Sequence, residues 1–310
     1  MGVYFAPLEG LTDSIYRTLH SQYFGGVDKY FTPFLSPTIH RSLTPREARE
    51  LPPAHTLSVP VVPQLLTKVP SDFLWMTNVA KDLGYTEVNL NLGCPSGTVV
   101  AKGKGAGMLK EPTALDAFLA EIFRGTSLPI SLKTRLGLEN PEEFPALLEI
   151  FNRYPVKELI LHPRVRRQFY DGVPDIKWLA YCVQHSRAPV CYNGNLCTKS
   201  AVSQFSQTPN VMVGRGLIAD PGMLIPDGTS AAALERFLAE LLEAYLIHFG
   251  GSRNAMFRLK EHWRYLLCKF ENPEKLGKRL RKTTDLAEYR QIVREIFATL
   301  PMKPETTPDW

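Results

Sequence analysis

The alternation of short apolar runs with longer amphipathic segments constrains this chain more than any single motif. Eight runs rich in Val, Ile, Leu and aromatic residues fall near 3–6, 29–34, 61–65, 87–91, 129–133, 157–161, 189–192 and 211–214. Runs that are apolar at nearly every position belong to strands covered on both faces, which is the condition of a parallel sheet. Helical spacing follows several of them: Phe73 and Leu74 to Leu83; Leu115, Phe118, Leu119, Ile122 and Phe123; Phe144, Leu147, Leu148 and Phe151. The alternation predicts an α/β fold, a (β/α)8 TIM barrel over residues 1–228, with a doubly wound sheet as the alternative. A chain of 310 residues with 44% hydrophobic content can bury a core of that size.

Near Asp227-Gly228-Thr229 the strand signal stops. Leu234, Phe237, Leu238, Leu241, Leu242, Tyr245, Leu246 and Phe249 keep helical spacing up to a stop at Gly250-Gly251. A second stripe runs from Met256 through Trp263 to Phe270, and a third from Tyr289 to Leu300, so a small helical bundle is expected over 229–300 and a flexible tail over 301–310. No stretch approaches the roughly 18 apolar residues of a membrane span, and Met1 leads straight into Val3-Tyr4-Phe5-Ala6; the expectation is a cytoplasmic protein, monomeric and without a protein partner. The five cysteines are odd in number and never spaced Cys-x-x-Cys, and the seven histidines lack ligand spacing, so neither disulfides nor a metal centre is expected. The formal charge of +5 is mild, but Lys275, Lys278, Arg279, Arg281 and Lys282 crowd eight positions without an acid. Such a run is either a solvated helix face or a nucleic-acid contact.

In a barrel the chemistry sits where strands end, and here those ends are unusual. The first leads into Ala6-Pro7-Leu8-Glu9-Gly10, with Asp13 as an N-cap; the third ends at Gln64, the fourth at Asn91 and Cys94, the fifth at Lys133 and Arg135, the sixth at His162 and Arg164. Cys94, before Pro95, is compatible with a buried structural thiol as well as a reactive one. An unpaired ammonium at the end of a buried strand is costly, so Lys133 calls for an anionic partner. His162 taken alone reads equally as a satisfied core histidine. The last two strands end in Asn193-Gly194-Asn195 and Gly214-Arg215-Gly216, the place where barrels hold phosphate on backbone N–H groups. Lysine, glutamine, histidine and a late phosphate site together suit flavin mononucleotide (FMN), with Cys94 a candidate proton donor facing its ring.

The ordered motifs resemble those of the tRNA-dihydrouridine synthases along nearly the whole chain. They comprise APLEGLTDSIYR (6–17), Gln64 in Val-Pro-Gln-Leu, NLNLGCP (89–95), GKGAGMLK (103–110) and Lys133-Thr134-Arg135-Leu136-Gly137. His162-Pro163-Arg164 with Gln168, Tyr170 and Gly172, the two glycine-bearing ends, and Arg258-Leu259-Lys260 complete the set. The resemblance implies a flavoenzyme that reduces a tRNA uridine to 5,6-dihydrouridine: hydride from reduced FMN to C6, a proton from Cys94 to C5, and NADPH as electron donor. It implies flavin contacts from Pro7, Leu8, Glu9, Gln64, Lys133, His162, Asn193, Gly194, Asn195, Gly214 and Arg215. It implies uridine or tRNA contacts from Asn91, Arg135, Arg164, Arg258 and Lys260, and the basic run adds Lys278, Arg279, Arg281 and Lys282 as expected tRNA contacts. Departures stand at Pro33, Gly97 and Asn195, where the family commonly has an acid, a lysine and an acid. An FMN barrel acting on a free pyrimidine, or an RNA-binding barrel without catalysis, would share parts of the pattern.

Overall fold

The computed structural model describes residues 1–38, 40–205, 208–306 and 308. The strands are β1 (Gly2–Phe5), β2 (Lys29–Phe31), β3 (Val61–Val62), β4 (Gln64–Leu65), β5 (Val88–Leu92), β6 (Ile130–Arg135), β7 (Leu159–His162), β8 (Val190–Asn193) and β9 (Asn210–Val213). The helices are α1 (Ser14–Tyr23), α2 (Pro45–Glu50), α3 (Pro70–Asp82), α4 (Gly97–Ala101), α5 (Pro112–Gly125), α6 (Phe144–Phe151) and α7 (Ile176–His185), then α8 (Lys199–Ser203), α9 (Arg215–Ala219), α10 (Ala231–Phe249), α11 (Ser252–Leu266), α12 (Glu274–Lys282) and α13 (Leu286–Thr299).

The sheet order is β3-β2-β1-β9-β8-β7-β6-β5-β4, and its two ends are consecutive in the chain. Only Pro63 separates β3 from β4: its ring nitrogen has no hydrogen to donate, so one strand run is recorded as two. The seam is sewn by Leu35, whose N–H donates to the Gln64 carbonyl and whose carbonyl accepts from Leu66 N–H, both at 2.8 Å. The eight apolar runs are thus the eight staves of a closed parallel barrel, and the doubly wound alternative, which needs free sheet edges, falls. Tyr4, Ala6, Phe31, Val62, Ile160, Cys191 and Met212 form one buried apolar cluster.

The chain divides into two compact units, one of residues 1–7, 28–195 and 205–212 and one of residues 8–27, 196–204 and 213–310. The second contains α1, α8 and α9 as well as the four C-terminal helices. Within it, Tyr16 stacks on His262 at 4.8 Å and meets Phe237 edge-on at 5.5 Å, while the Tyr245 hydroxyl donates to the Asp13 carboxylate. Gly250 closes α10 at φ 63°, the left-handed cap expected there. The segment expected to be a flexible tail is paired as far as it is described to Thr306. Glu271 N–H donates to the Pro301 carbonyl and Lys303 N–H to that of Lys269, and buried Thr306 donates to the Cys197 carbonyl. These bonds give the segment backbone partners that the sequence pattern did not disclose; residues 307, 309 and 310 lie outside the described residues.

Candidate active site

In the first unit, β4 to β8 bring Gln64, Asn91, Lys133, Arg135, His162 and Asn193 to their C-terminal ends. Parallel register sets the neighbours: Gln64 lies beside Asn89, Asn91 beside Lys133, and Arg135 beside His162. Side-chain amides link these rows. Gln64 Nε2 donates to Asn89 Oδ1 at 2.8 Å, Asn89 Nδ2 to Ser131 Oγ at 3.0 Å, and Ser131 Oγ to Glu87 Oε1 at 2.7 Å. In the other direction Asn91 Nδ2 donates to Gln64 Oε1 at 2.8 Å. Asn91 Oδ1 then accepts from the backbone N–H groups of Gly93 at 3.1 Å and Cys94 at 2.9 Å. One hydrogen-bonded chain therefore runs from Glu87, itself paired with Lys29 and Lys157, to the backbone of Cys94.

The glycine-rich 103–110 segment supports the same cysteine from the other side. Ala106 N–H donates to the Cys94 carbonyl at 3.1 Å, and a Cβ on Gly105, which has φ +56°, would stand 3.0 Å from that of Cys94. Glycine is required there both by the backbone and by the space. Cys94 itself is half-exposed.

Lys133 is half-buried, and this burial, followed by the nearby Arg135 charge, lowers its ammonium to about 8. Among the described residues, nothing accepts a hydrogen bond from its Nζ. Arg135, by contrast, has a partner on each nitrogen: Nε donates to the Gly93 carbonyl at 2.9 Å, Nη1 to that of Val165 at 3.1 Å and Nη2 to that of Phe169 at 2.7 Å. Arg164 is buried likewise, bonding the Asp171 and Gly172 carbonyls and, at 2.8 Å, His162 Nε2. A guanidinium only donates, so that ring nitrogen is the acceptor and the imidazole proton resides on Nδ1. Asn91, Arg135 and Arg164, the side chains expected at a nucleotide, thus hold loop backbone and a neighbouring ring. Their partners are largely carbonyl and N–H groups, which a residue pattern does not reveal.

Asn193 Nδ2 donates to the Met212 carbonyl at 2.8 Å, and Asn195 adopts φ 46°. Asparagine tolerates that left-handed backbone better than most residues. A Cβ on Gly194 would meet Pro174 at 2.8 Å and the Tyr192 hydroxyl at 3.0 Å. In the second unit, Gly214 caps α9, Arg215 opens it, and a Cβ on Gly216 would overlap the Leu196 carbonyl at 2.1 Å. Pro7 closes the first unit's opening segment, while in the second Leu8 N–H donates to the Thr12 hydroxyl at 2.8 Å and Glu9 is exposed.

Two residues expected to meet RNA have partners inside the second unit. Arg258 Nη1 donates to the Gly10 carbonyl, with its guanidinium over the Phe249 ring, and Lys260 Nζ donates to the carbonyls of Thr283 and Arg281 at the end of α12. Arg279 pairs with Glu295 at 2.7 Å, whereas Lys278, Arg281 and Lys282 are exposed. Sequence reasoning passed over Asn89 and Ser131, which read as strand interior, and Phe169. A phenylalanine at φ 48° carries no sequence signal at all.

Polar and cationic groups gathered at the C-terminal ends of parallel barrel strands define the class of protein, a barrel enzyme. A family model described as "Dihydrouridine synthase (Dus)" matches residues 4–296, and the chain belongs to that family. It is 30% identical over 234 residues to a tRNA-dihydrouridine(16) synthase of Pseudomonas putida, covering 72% of each chain. A probable tRNA-dihydrouridine synthase of Rhodobacter capsulatus is 26% identical over 318 residues, covering 96% of this chain and 94% of that one. Among solved structures, a morphinone reductase variant in complex with tetrahydroNAD superposes with a TM-score of 0.51 at 10% identity, over 77% of this chain and 86% of that chain. An old yellow enzyme homologue from Zymomonas mobilis gives 0.52 at 10% identity, over 71% and 86%. At that identity the two structures speak for the barrel alone.

Proposed function

We propose that this protein reduces the C5–C6 double bond of a uridine in tRNA to 5,6-dihydrouridine, using bound FMN and NADPH. The observation that carries the cofactor reading is Lys133. Its half-buried ammonium stands at a strand end without a hydrogen-bond acceptor among the described residues and is lowered to about 8 by burial and the nearby Arg135 charge, so an anionic ligand there would stabilise the charged form. The ring of a reduced flavin is such a ligand, while Gln64, bonded through both amide atoms to Asn89 and Asn91, orders the strand ends. Asn193, Gly194 and Asn195 of the first unit are assigned to the phosphate on their chemistry. When bound, reduced FMN supplies hydride to C6 of the uracil.

The remaining requirement is a proton at C5, and Cys94 is the acid within this reading. Its backbone is held from three sides, by Asn91 Oδ1 on its N–H, by Ala106 on its carbonyl, and through Gly93 by Arg135. Half-exposed, its thiolate regains a proton from water after each turnover. Asn91 and Arg135 act as positioning residues for this loop. The exposed Lys278, Arg281 and Lys282 of α12 serve as phosphate contacts for the RNA.

Cys94→Ala tests the assignment. Removing a positioned acid costs about 10²- to 10⁴-fold in rate, so dihydrouridine formed on tRNA should drop by about a hundredfold or more while flavin stays bound. Parental product formation by Cys94→Ala would overturn the proton-donor role.

A further inference from the structure

The loop after β7 presents aromatic rings to solvent beside the Cys94 segment, and no step above uses them. Phe169 is 41% exposed, Tyr170 44% and Val173 80%. Apolar side chains this large and this open are uncommon as a contiguous group on a protein surface. Phe169 also holds a backbone conformation that a bulky residue rarely adopts, φ 48° and ψ −97°.

That conformation is locked from several directions. Arg135 Nη2 bonds the Phe169 carbonyl at 2.7 Å, Phe169 N–H donates to the Arg166 carbonyl at 3.0 Å, and Gln168 Oε1 accepts from Val165 N–H at 2.8 Å. The Arg166 guanidinium lies over the Phe169 ring at 5.2 Å, and that of Arg135 over the Tyr170 ring at 5.7 Å. Arg166 Nε also donates to the Pro95 carbonyl at 3.3 Å, next to Cys94. The loop carrying the rings is therefore tied at both Arg135 and Arg166 to the segment that carries the thiol. The loop carries Arg164, Arg166 and Arg167 against two acids, Asp171 and Asp175, and Asp175 caps α7.

We propose that Phe169 is a stacking site for an unpaired nucleobase of the substrate RNA next to the uridine that is reduced, with Arg166 and Arg167 on the adjoining phosphates. The occupant follows from charge and shape: a partly exposed aromatic ring with the Arg166 guanidinium over it, and exposed Arg167 next in the chain, suits a base and its phosphate, since every base has a π-face. A uridine extruded from folded RNA leaves its neighbour unstacked, and a rigid ring offers that neighbour a replacement stack. The inference rests on the dihydrouridine reading above.

The test compares Phe169→Gly, Phe169→Leu and Phe169→Trp in the full-length, flavin-loaded protein, measuring kcat/KM on tRNA and the midpoint of thermal unfolding. Glycine accepts positive φ without strain, so Phe169→Gly removes the ring while favouring the observed backbone. Loss of one base stack should lower kcat/KM by roughly tenfold or more in the Gly and Leu variants, with Trp close to the parent and the Gly midpoint not lowered. Parental kcat/KM in Phe169→Gly overturns the proposal, as does a decrease in Phe169→Trp equal to that in Phe169→Gly. Absence of dihydrouridine with the parental protein sinks the underlying function instead, which keeps the two failures apart.

Discussion

Replacing Asn91 by alanine separates a loop-holding role from a substrate-holding one. The side chain makes three hydrogen bonds, to Gln64 Oε1 at 2.8 Å and from the N–H groups of Cys94 at 2.9 Å and Gly93 at 3.1 Å. Gln64 is 1% exposed, so its oxygen stays unpaired in the variant, at a cost of about 1–3 kcal/mol. The other two groups belong to half-exposed residues that water can reach, so each forfeits only the net value of its bond, about 1 kcal/mol. The sum is about 3–5 kcal/mol of stability. Urea unfolding of the protein, followed by hydrogen exchange of the strand amides near Asn91, measures it. Turnover on tRNA should drop with it, because Cys94 then lacks the bond that orients its backbone. Asn91→Asp keeps both N–H acceptors but sets oxygen against Gln64 Oε1, so its loop should stay ordered while stability still decreases. Unchanged unfolding energetics in Asn91→Ala, with a raised KM alone, would refute the clamp and restore a direct uridine contact.

Two further expectations concern charge. Lys133 has its folded value near 8, below the usual 10.5, so the unfolded chain binds more protons between those values and stability rises with pH across that window. In the flavin-free protein the same ammonium is neutralised as pH climbs through about 8, so FMN association with the apoprotein should weaken there, and Lys133→Met should abolish that step in the pH profile while unfolding no more easily at neutral pH. A profile for Lys133→Met identical to the parent's would remove Lys133 from the cofactor site. On α12, reversing Lys278, Arg281 and Lys282 to glutamate should weaken tRNA binding and reduce the salt slope by about one for each phosphate that the helix no longer neutralises. An unaltered slope would leave that face as solvated surface.

How legible the site was depended on what each residue touches. Cys94, Lys133 and Gln64 stand out in the sequence because a thiol, an ammonium and an amide at the ends of apolar runs need a chemical reason. Arg135, Arg164, Arg258 and Lys260 stand out equally, yet their side chains direct their donors to carbonyls of Gly93, Phe169, Gly172, Gly10 and Thr283. A cation reads the same in a sequence whether it faces a phosphate or a backbone oxygen. Conversely, the chain of amides from Glu87 to Cys94 exists only because parallel register sets Asn89 beside Gln64 and Ser131, and Asn91 beside Lys133.

Apolar periodicity alone determined the eight strand runs, their burial on both faces and the helical C-terminal segment, because burial on two faces or on one stripe leaves a local pattern in the residues themselves. Closure of the barrel at Pro63, the backbone pairing of the segment from Pro301 to Thr306, and the positive φ of Phe169 were decided by the tertiary structure. Each depends on backbone groups meeting across distant parts of the chain, and nearly every residue carries the same backbone groups, so no pattern of side chains announces where they pair.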